Sequence, residues 1–449
     1  MRQILPRTGF RLGTKIGLVL WSVFILAVEK LAWFLSLFLQ PVFDWFYLRD
    51  HDQRSYDQIS RKRNYEGIAH SIVFFCSSAG EYEQARPLID RFRKDRSVYI
   101  LVIFFSHSGR RYAESLGDDI PFLMAPVDSI WYWRPILAAA RPDVIIVVRH
   151  ELWPAFLSES ARWGHLLLID GTENQSLRRP GPARWLKGRL LRIFFRIYVA
   201  DTRDGQFFRE ILSVPDTKIG VIGDTKYDRV LERAGATTHR ADRLAQILGK
   251  GEDRRLRLVL GSAWEKDVAL VLSAYQRLQA AGYDSQWQIV IATHDVGQEM
   301  LGRVQRACAG HGLDQVFFSE VEQTGSRQSV PVLIVDRIGI LSEIYASADL
   351  VFVGGAMHHE VHNVLEPACR GPAVAFGPLY KNSREAILMV EAGLATVVAD
   401  VEQMVEWWKR AGQDPGSQRV KMLSWVQSLT GASDAIYSEV RGTFFNKLN

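Results

Sequence analysis

From residue 71 onward, short apolar runs alternate with stretches whose apolar residues recur at helical spacing. The runs Ile72–Cys76, Val144–Val148 and Leu350–Val353 are too short for helices and are followed by polar residues or glycine. Runs of this kind are typical of strands that a parallel sheet buries on both faces. The alternation therefore predicts α/β domains in which helices connect parallel strands.

Changes in this pattern divide the chain into four segments. Residues 1–50 carry a long apolar stretch, and residues 51–230 alternate strands with helices. Residues 231–255 are polar and charged, which is typical of a surface helix and linker, and residues 256–449 resume the alternation. At 449 residues the chain can bury two cores, so we expect two α/β domains. We expect the last helix to return to the first domain.

The N-terminal stretch predicts a membrane-associated helical segment. Its apolar run Ile16–Val28 is followed by Glu29 and Lys30 before apolar residues resume at Leu31–Leu39. The whole length could span a bilayer, but two charges near its middle favour a position at the interface. A cleaved signal peptide is disfavoured because no small-x-small site follows. A buried amphipathic core helix remains the alternative.

Composition adds the kind of partner to expect. The chain is 47% hydrophobic and 23% charged, as in globular proteins, and its net charge of +5 favours an anionic partner such as a membrane surface, an anionic lipid or nucleic acid. Cys76, Cys308 and Cys369 are scattered without metal-ligand spacing, which fits a reducing compartment. The sequence contains no Walker loop and no G-x-S-x-G elbow that would indicate another chemistry.

One stretch concentrates the positive charge. Aromatic and aliphatic residues are interleaved in it with seven cations and no acidic residue, namely Arg178, Arg179, Arg184, Lys187, Arg189, Arg192 and Arg196. A basic amphipathic helix of this kind binds anionic lipid or a phosphorylated lipid head group. A helix that packs its apolar face on the sheet and solvates its charges is the alternative. Nucleic acid is not expected, because no nucleic-acid-binding motif accompanies the charge.

The stretch from Asp349 to Pro378 predicts a nucleotide site. A buried strand ends at Gly354 and Gly355, a helix start follows at Asn363 with Glu366 three residues later, and a second strand comes after it. The loop of such a βαβ unit lies at the carboxyl end of the sheet, where open α/β folds bind ligands. Free amides at a helix start favour phosphate, and a carboxylate there can accept hydrogen bonds from ribose hydroxyls. Ordinary helix capping remains the alternative.

This stretch, VGGAMHHEVHNVLEPACRGPAVAFGP, resembles the nucleotide-binding signature of the 3-deoxy-D-manno-octulosonic acid (Kdo) transferases of bacterial lipopolysaccharide synthesis. Further stretches resemble the family's motifs in the family's order, among them SSAGEYEQARPLI, ELWP, GDTKYD and GSAWEKD. The resemblance implies a GT-B-type glycosyltransferase with two doubly wound, Rossmann-like domains facing a cleft. It implies transfer of Kdo from CMP-Kdo to a lipid A precursor in lipopolysaccharide core synthesis, without metal or cofactor. It places the enzyme at the inner membrane, facing the cytoplasm.

The resemblance also implies roles for individual residues. Glu81 stands where the family has its general base, which suits a transfer that must remove a proton from an attacking hydroxyl. A first-turn glutamate that only stabilises its helix is the alternative. Glu151 and Lys226 stand where the family supports the transition state and the departing phosphate. Ser78 and Gly80, with the basic series, are assigned to the acceptor and membrane.

The nucleotide contacts are assigned to the second domain. They comprise Ser262, Ala292, Thr293, Ile338, Gly339, Ile340, Gly355, Asn363, Val364, Leu365 and Glu366. Several positions depart from the family. Arg149 replaces a glutamate and Asp224 an asparagine, Ala292 and Thr293 stand where the family has a proline and an arginine that would contact phosphate, and Ile338, Gly339 and Ile340 take the place of Met-Gly-Glu. Another cation, such as Lys226 or Lys381, must then replace that arginine. A transferase of the same fold using a nucleoside-diphosphate sugar, and a non-catalytic membrane-surface binder, remain open.

Overall fold

The computed structural model describes residues 12–36, 53–117, 119–235, 255–283, 287–324 and 330–445. Two compact units make up the chain, one from the residues up to Arg229 together with those from Leu429 onward, and one from Val230–Ser428. Each unit contains one parallel sheet. The prediction of two α/β domains is therefore confirmed. Most of the predicted linker, 236–254, lies outside the described residues.

The first domain is built on seven parallel strands. In chain order its strands are β1 (His70–Cys76), β2 (Val98–Phe104), β3 (Phe122–Met124), β4 (Val144–Val148), β5 (His165–Gly171), β6 (Arg196–Val199) and β7 (Ile219–Val221). Its helices, up to the one that leads into the second domain, are α1 (Leu12–Ser36), α2 (Gln53–Arg63), α3 (Ala79–Arg93), α4 (His107–Ser115), α5 (Ile130–Ala140), α6 (Pro154–Ser160), α7 (Gln175–Arg178), α8 (Pro182–Leu191), α9 (Thr202–Glu210) and α10 (Thr225–Gly235).

The strand order of this sheet is β3-β2-β1-β4-β5-β6-β7. The order reverses between β1 and β4, which pair in parallel with Phe75 opposite Val147. At such a reversal the two following loops diverge and leave a crevice at the carboxyl edge. The residues after Cys76 and after Val148 therefore line one crevice.

The second domain repeats this design. Its strands are β8 (Leu256–Ala263), β9 (Trp287–Thr293), β10 (Gln315–Phe317), β11 (Val332–Val335), β12 (Leu350–Val353), β13 (Ala373–Phe376) and β14 (Ala395–Val397). Its helices are α11 (Glu265–Ala280), α12 (Gln298–Gly310), α13 (Phe318–Thr324), α14 (Leu341–Tyr345), α15 (Leu365–Ala368), α16 (Arg384–Glu391), α17 (Val401–Gln413) and α18 (Pro415–Ser428).

The order in the second sheet is β10-β11-β9-β8-β12-β13-β14, and it reverses between β8 and β12. Two glycines let the chain pass closely there. A Cβ on Gly261 would lie 1.9 Å from the Tyr345 hydroxyl, and one on Gly354 would lie 2.6 Å from the Ser262 carbonyl oxygen. A side chain on Gly261 would displace Tyr345 of α14, and one on Gly354 would push the ends of β8 and β12 apart, so these glycines fix the shape of the crevice.

The middle residues of the strands are apolar because both faces of each sheet are covered. Every residue of β2, β4, β12 and β13 is buried. Polar side chains consequently appear where the strands end.

Helix α1 continues through Glu29 and Lys30 without a break. Two of its polar side chains contact other parts of the first domain. The Trp21 indole donates to Asp128 over 3.1 Å, and Glu29 accepts from the Tyr132 hydroxyl over 3.2 Å. Apolar residues such as Leu20 and Phe24 are exposed, at 63% and 59%. In the part of the chain that the structure describes, no helix has the length and apolar character needed to cross a membrane. Residues 37–39 of the predicted segment lie outside it.

The end of the chain belongs to the first domain. Helix α19 (Ala432–Val440) packs on α3, where Tyr437 contacts Phe92 with ring centroids 4.9 Å apart. Asp228 of α10 accepts hydrogen bonds from the backbone amides of Gly431 and Ser433, each 2.7 Å long. One buried carboxylate therefore holds the start of α19.

Replacing Asp228 by alanine should lower the free energy of unfolding by about 2–4 kcal/mol, because two amides lose a charged acceptor and one of them is buried. The midpoint of urea unfolding measures the effect. Asp434→Ala is the matched control, since it removes an exposed ion pair with Arg91 and should cost at most about 1 kcal/mol. Equal losses in both variants would contradict the assigned role of Asp228.

Candidate functional site

Glu81 lies at the crevice of the first sheet, in the first turn of α3. Its backbone amide donates to the Ser78 hydroxyl over 3.3 Å, and its carboxylate accepts from the Ser77 amide over 2.5 Å. The side chain therefore folds back over the loop after β1. Burial raises the pKa of Glu81, the Ser77 hydrogen bonds oppose this, and the neighbouring charge of Glu151 raises it further. A carboxylate with a raised pKa beside a crevice is suited to accept a proton.

The loop after β4 supplies the opposite wall of this crevice. Arg149 adopts a left-handed backbone conformation with φ of 63°, which is costly for a residue with a side chain. Its Nε donates to the Gln84 side chain over 2.7 Å. Glu151 accepts a hydrogen bond of 2.8 Å from the Trp153 indole, and that ring packs against Phe75. Both predicted carboxylates therefore sit at the same strand-order reversal.

Lys226 lies at the start of α10, close to this group. Its Nζ is 3.6 Å from Oδ2 of Asp224, and the Lys226 backbone amide donates to Oδ1 of the same carboxylate. Asp224 in turn accepts from Gln84 over 3.4 Å. A chain of polar contacts thus joins Lys226, Asp224, Gln84 and Arg149. Sequence reasoning missed Gln84, because a glutamine inside a helix carries no distinguishing pattern.

Asp170 is a further buried carboxylate that sequence reasoning missed. It accepts from the amide and hydroxyl of Thr225, over 2.8 and 2.5 Å. Burial raises the pKa of Asp170 to about 8, and the charge of Asp224 adds to this rise. Its φ of 55° accompanies a register shift in β5. An aspartate at the end of an apolar strand was the signal that could have revealed it.

Ser78 caps α3, as described, and Gly80 is exposed in that helix. A Cβ on Gly80 would meet only the Ser78 hydroxyl, at 3.9 Å, so its backbone does not demand glycine.

The basic series is not a single helix, contrary to prediction. Pro180 and Gly181, with φ of 131° at the glycine, separate α7 from α8. Arg178 pairs with Glu173, and Arg196 opens β6 and pairs with Glu439 over 3.1 Å. The other members make backbone contacts or are exposed: Arg184 to the Arg178 carbonyl, Lys187 to the Ser176 carbonyl, Arg192 to the Ser213 carbonyl, and Arg179 and Arg189 at the surface.

Helix α8 nevertheless presents an exposed mixed surface of apolar and basic side chains. Trp185 is 64% exposed, Leu186 is exposed beside it, and the Arg189 guanidinium lies 4.9 Å from the Trp185 ring centre.

In the second domain, Asp267 joins the two strand ends at the reversal. Its carboxylate accepts from the backbone amides of Trp264 and Gly355, each over 2.9 Å. Ser262 has φ of 53° at a register shift in β8, and a Cβ on Gly355 would lie 2.3 Å from the Glu360 carbonyl oxygen. The predicted nucleotide residues Ser262 and Gly355 therefore lie in two neighbouring turns whose backbone these contacts hold in place.

The predicted helix start at Asn363 differs in detail. Asn363 accepts from the Leu365 amide over 3.0 Å and donates to the Glu366 carboxylate over 3.3 Å. The helix itself is only Leu365–Ala368, because Pro367 lacks a donor and Gly371 turns the chain with φ of 89°. A helix of four residues provides no significant dipole for phosphate. Val364 and Leu365 are buried, so their side chains serve packing.

The remaining predicted contacts lie at the ends of β9 and β11. Thr293 donates its hydroxyl to the Asp295 carbonyl over 2.6 Å, and Ala292 is buried. After β11, Ile338 is 81% exposed, Gly339 is exposed, and Ile340 is buried. Lys381, a candidate replacement cation, is exposed ahead of α16.

Sequence reasoning also missed a histidine cluster around Trp264. The indole stacks on His294 with ring centres 4.7 Å apart, and His294 stacks on His362 at the same distance. His358 and His359 approach the indole edge-on, at 5.6 and 5.0 Å. Because these residues follow three different strands, no local motif could reveal the cluster. Among the described residues, no group of three or more histidines, cysteines or carboxylates is placed to hold a metal ion.

Comparison with known proteins gives a consistent picture. Residues 50–229 match the family described as 3-deoxy-D-manno-octulosonic-acid transferase. A 3-deoxy-D-manno-octulosonic acid transferase of Chlamydia trachomatis is 29% identical over 346 residues, which are 74% of this chain and 76% of that protein. One from Rickettsia prowazekii is 27% identical over 340 residues, 72% of this chain and 67% of that protein.

Solved structures agree on the fold. The UDP-GlcNAc 2-epimerase of Neisseria meningitidis, crystallised with UDP-GlcNAc, superposes with a TM-score of 0.57 at 14% identity and covers 83% of this chain and 100% of that chain. At this identity the likeness concerns the two-domain α/β fold alone.

The raised pKa of Asp170 predicts how stability depends on pH. The pKa of an unfolded aspartate is about 3.9, whereas burial raises the pKa of folded Asp170 to about 8. Between these values only the folded state holds the proton, so stability falls as pH rises from about 4 to about 8. Asp170→Asn should flatten this slope in urea unfolding. The exposed control Asp216→Asn should keep it, and an unchanged slope in Asp170→Asn would contradict the assignment.

Proposed function

The chain is a glycosyltransferase related to the Kdo transferases, and we propose that it transfers Kdo from CMP-Kdo to a lipid A precursor of the lipid IVA type. The reaction would belong to lipopolysaccharide core synthesis. The observation that carries the proposal is the placement of Glu81, a half-buried carboxylate with a raised pKa, at the strand-order reversal of the first sheet.

In the proposed reaction an acceptor hydroxyl attacks the anomeric carbon of Kdo. The new carbon–oxygen bond forms as the bond from that carbon to the phosphate oxygen of CMP breaks. Glu81 takes the proton of the attacking hydroxyl, which its raised pKa favours near neutral pH. Lys226 stabilises the charge that develops on the departing phosphate, and Glu151, fixed by Trp153, stabilises the electron-poor sugar.

The donor is assigned to the crevice of the second domain. Ser262 and Gly355 lie where open α/β sheets bind nucleotides, and Glu366 beside Asn363 has the charge to accept hydrogen bonds from ribose hydroxyls. With the first domain holding the acceptor, the arrangement would be of the GT-B type. The proposed chemistry uses no metal and no cofactor.

Transfer of radiolabelled Kdo from CMP-Kdo, generated in the assay, onto a lipid A precursor tests the function directly. We expect labelled lipid with the intact chain. A parallel titration with CMP and UDP distinguishes a nucleoside-diphosphate sugar as donor, since a preference for UDP without Kdo transfer would overturn the proposal. No labelled lipid and no binding of either nucleotide would instead favour a non-catalytic binder.

We also assign the enzyme to the cytoplasmic face of the inner membrane. The support is the exposed apolar face of α1, which includes Leu20 and Phe24, together with the mixed surface of α8. A lipid acceptor would be presented at that surface, and aromatic and basic residues are suited to an anionic interface.

Glu81→Gln should lower the rate by roughly two to four orders of magnitude, the usual contribution of a general base, while CMP binding stays nearly unchanged. Single-turnover transfer measures the first quantity and calorimetry the second. Glu83→Gln, on the same helix and paired with Arg229, is the matched control and should keep most of the activity. Full activity of Glu81→Gln would remove this residue from the mechanism.

Membrane binding should have two separable parts. Replacing Leu20 and Phe24 by serine should lower partitioning into neutral and anionic vesicles by about two to four orders of magnitude at any salt concentration, because each side chain contributes about 1.5–3 kcal/mol when buried. Replacing Arg184, Lys187 and Arg189 by glutamine should act only on anionic vesicles at low salt, since salt screens charge.

The control for this vesicle assay is Val420→Ser, which alters an exposed apolar residue of the second domain. Vesicle co-sedimentation at low and high salt measures each variant. If the serine variants of α1 sediment like the parent protein, α1 is not a membrane-binding surface.

A further inference from the structure

The histidine cluster around Trp264 occupies the crevice of the second domain. Trp264 follows β8, His294 follows β9, and His358, His359 and His362 follow β12. His362 directly precedes Asn363, which contacts the candidate ribose ligand Glu366. A nucleotide whose ribose lies at Glu366 would therefore bring its phosphate toward the loop that carries these imidazoles.

The hydrogen bond between Trp264 and His362 fixes one ring of the cluster in its neutral form. The indole Nε1 lies 3.1 Å from Nε2 of His362, and an indole nitrogen can only donate. Nε2 of His362 must then be the acceptor, and a proton placed there would meet the indole N–H. Burial also lowers the pKa of His362, and the charges of His294 and His359 lower it further.

His358 and His359 are not constrained in this way. Nδ1 of His358 is buried and has no hydrogen-bond partner, and the same is true of Oδ1 of Asp267, whose charge interacts with both histidines. Unpaired buried polar atoms are rare in folded proteins and call for a ligand or a proton. Nδ1 of His358 and Oδ1 of Asp267 can therefore each take a proton or a hydrogen bond from a ligand that enters the crevice.

The position at which the family has its phosphate-contacting arginine does not supply a cation. Thr293 uses its hydroxyl on the Asp295 carbonyl and carries no charge. Lys381, of the same domain, is exposed ahead of α16. The titratable groups beside the cluster include Asp267 and His294, with Glu360 next to His359 in sequence and Glu366 on the ribose side.

We propose that His358 and His359 hold the phosphate of the nucleotide donor and take up a proton as it binds, so that binding strengthens as the pH falls through neutrality. The inference rests on the proposed nucleotide site and adds to it a proton that enters with the ligand. The phosphate charge raises the proton affinity of the imidazoles, and the protonated rings supply donors to its oxygens. His362 stays neutral and holds Trp264 in place.

Calorimetric titration of the intact protein with CMP tests this. At pH 7, in two buffers of different ionisation enthalpy, we expect uptake of a substantial fraction of one proton per CMP bound. Between pH 8 and pH 6.5 the dissociation constant for CMP should fall by roughly fivefold or more, within the limit of about tenfold per pH unit for one linked proton. Cytidine, which lacks the phosphate, should bind without this dependence.

The decisive variant is His358→Gln/His359→Gln, in which proton uptake and pH dependence should disappear. The phosphate of CMP itself titrates at about pH 6, so proton uptake and CMP affinity are compared between parent and variant at the same pH. His311→Gln, at the end of α12, is the control and should behave like the parent. If the double variant does not fold, the single variant of the exposed His359 should lose part of the uptake.

The outcomes separate this inference from the proposed function. Kdo transfer with the same pH dependence of CMP binding in parent and double variant keeps the function and overturns the phosphate role of the histidines. Histidine-dependent, proton-linked binding of inorganic phosphate or UMP without Kdo transfer keeps the phosphate site and overturns the donor assignment. If neither CMP, UMP nor inorganic phosphate binds at either pH, the inference fails.

Discussion

Burial of both faces of a parallel sheet is the constraint on which the rest of this structure depends. Seven strands per domain, covered by helices, leave no room for polar side chains along their length. Polar groups can appear only where strands end, and the reversal of strand order leaves space there. The candidate chemistry of both domains accordingly collects at the β1–β4 and β8–β12 edges.

The two edges use the same device to hold irregular backbone. At the end of β5 and near the end of β8 the register shifts, and a residue other than glycine takes a left-handed conformation, Asp170 in one domain and Ser262 in the other. A buried carboxylate ties each region together, Asp170 through Thr225 and Asp267 through Trp264 and Gly355. Strained backbone persists only where such contacts over-determine it.

The sequence predicted the strands and the location of Glu81 because both are local properties: a run of apolar residues, and a glutamate in the first turn after a strand. It did not predict Asp170 as a buried titratable group or the imidazoles around Trp264, since these depend on which strands become neighbours. The basic pattern around Arg184 predicts one helix, whereas Pro180 and Gly181 divide the stretch into two. The length of α15 was missed because capping residues at Asn363 do not determine how far a helix continues.

The position of α19 also bears on the order in which the protein is made. The ribosome completes all seven strands of the first sheet before residue 230, but helix α19, which covers Phe92, is made only after the second domain. The second domain, continuous from Val230 to Ser428, is synthesised in full during this interval. A nascent first domain therefore exposes an apolar patch on α3 until α19 has been synthesised, and chaperone contact is expected to concentrate at that patch during this interval.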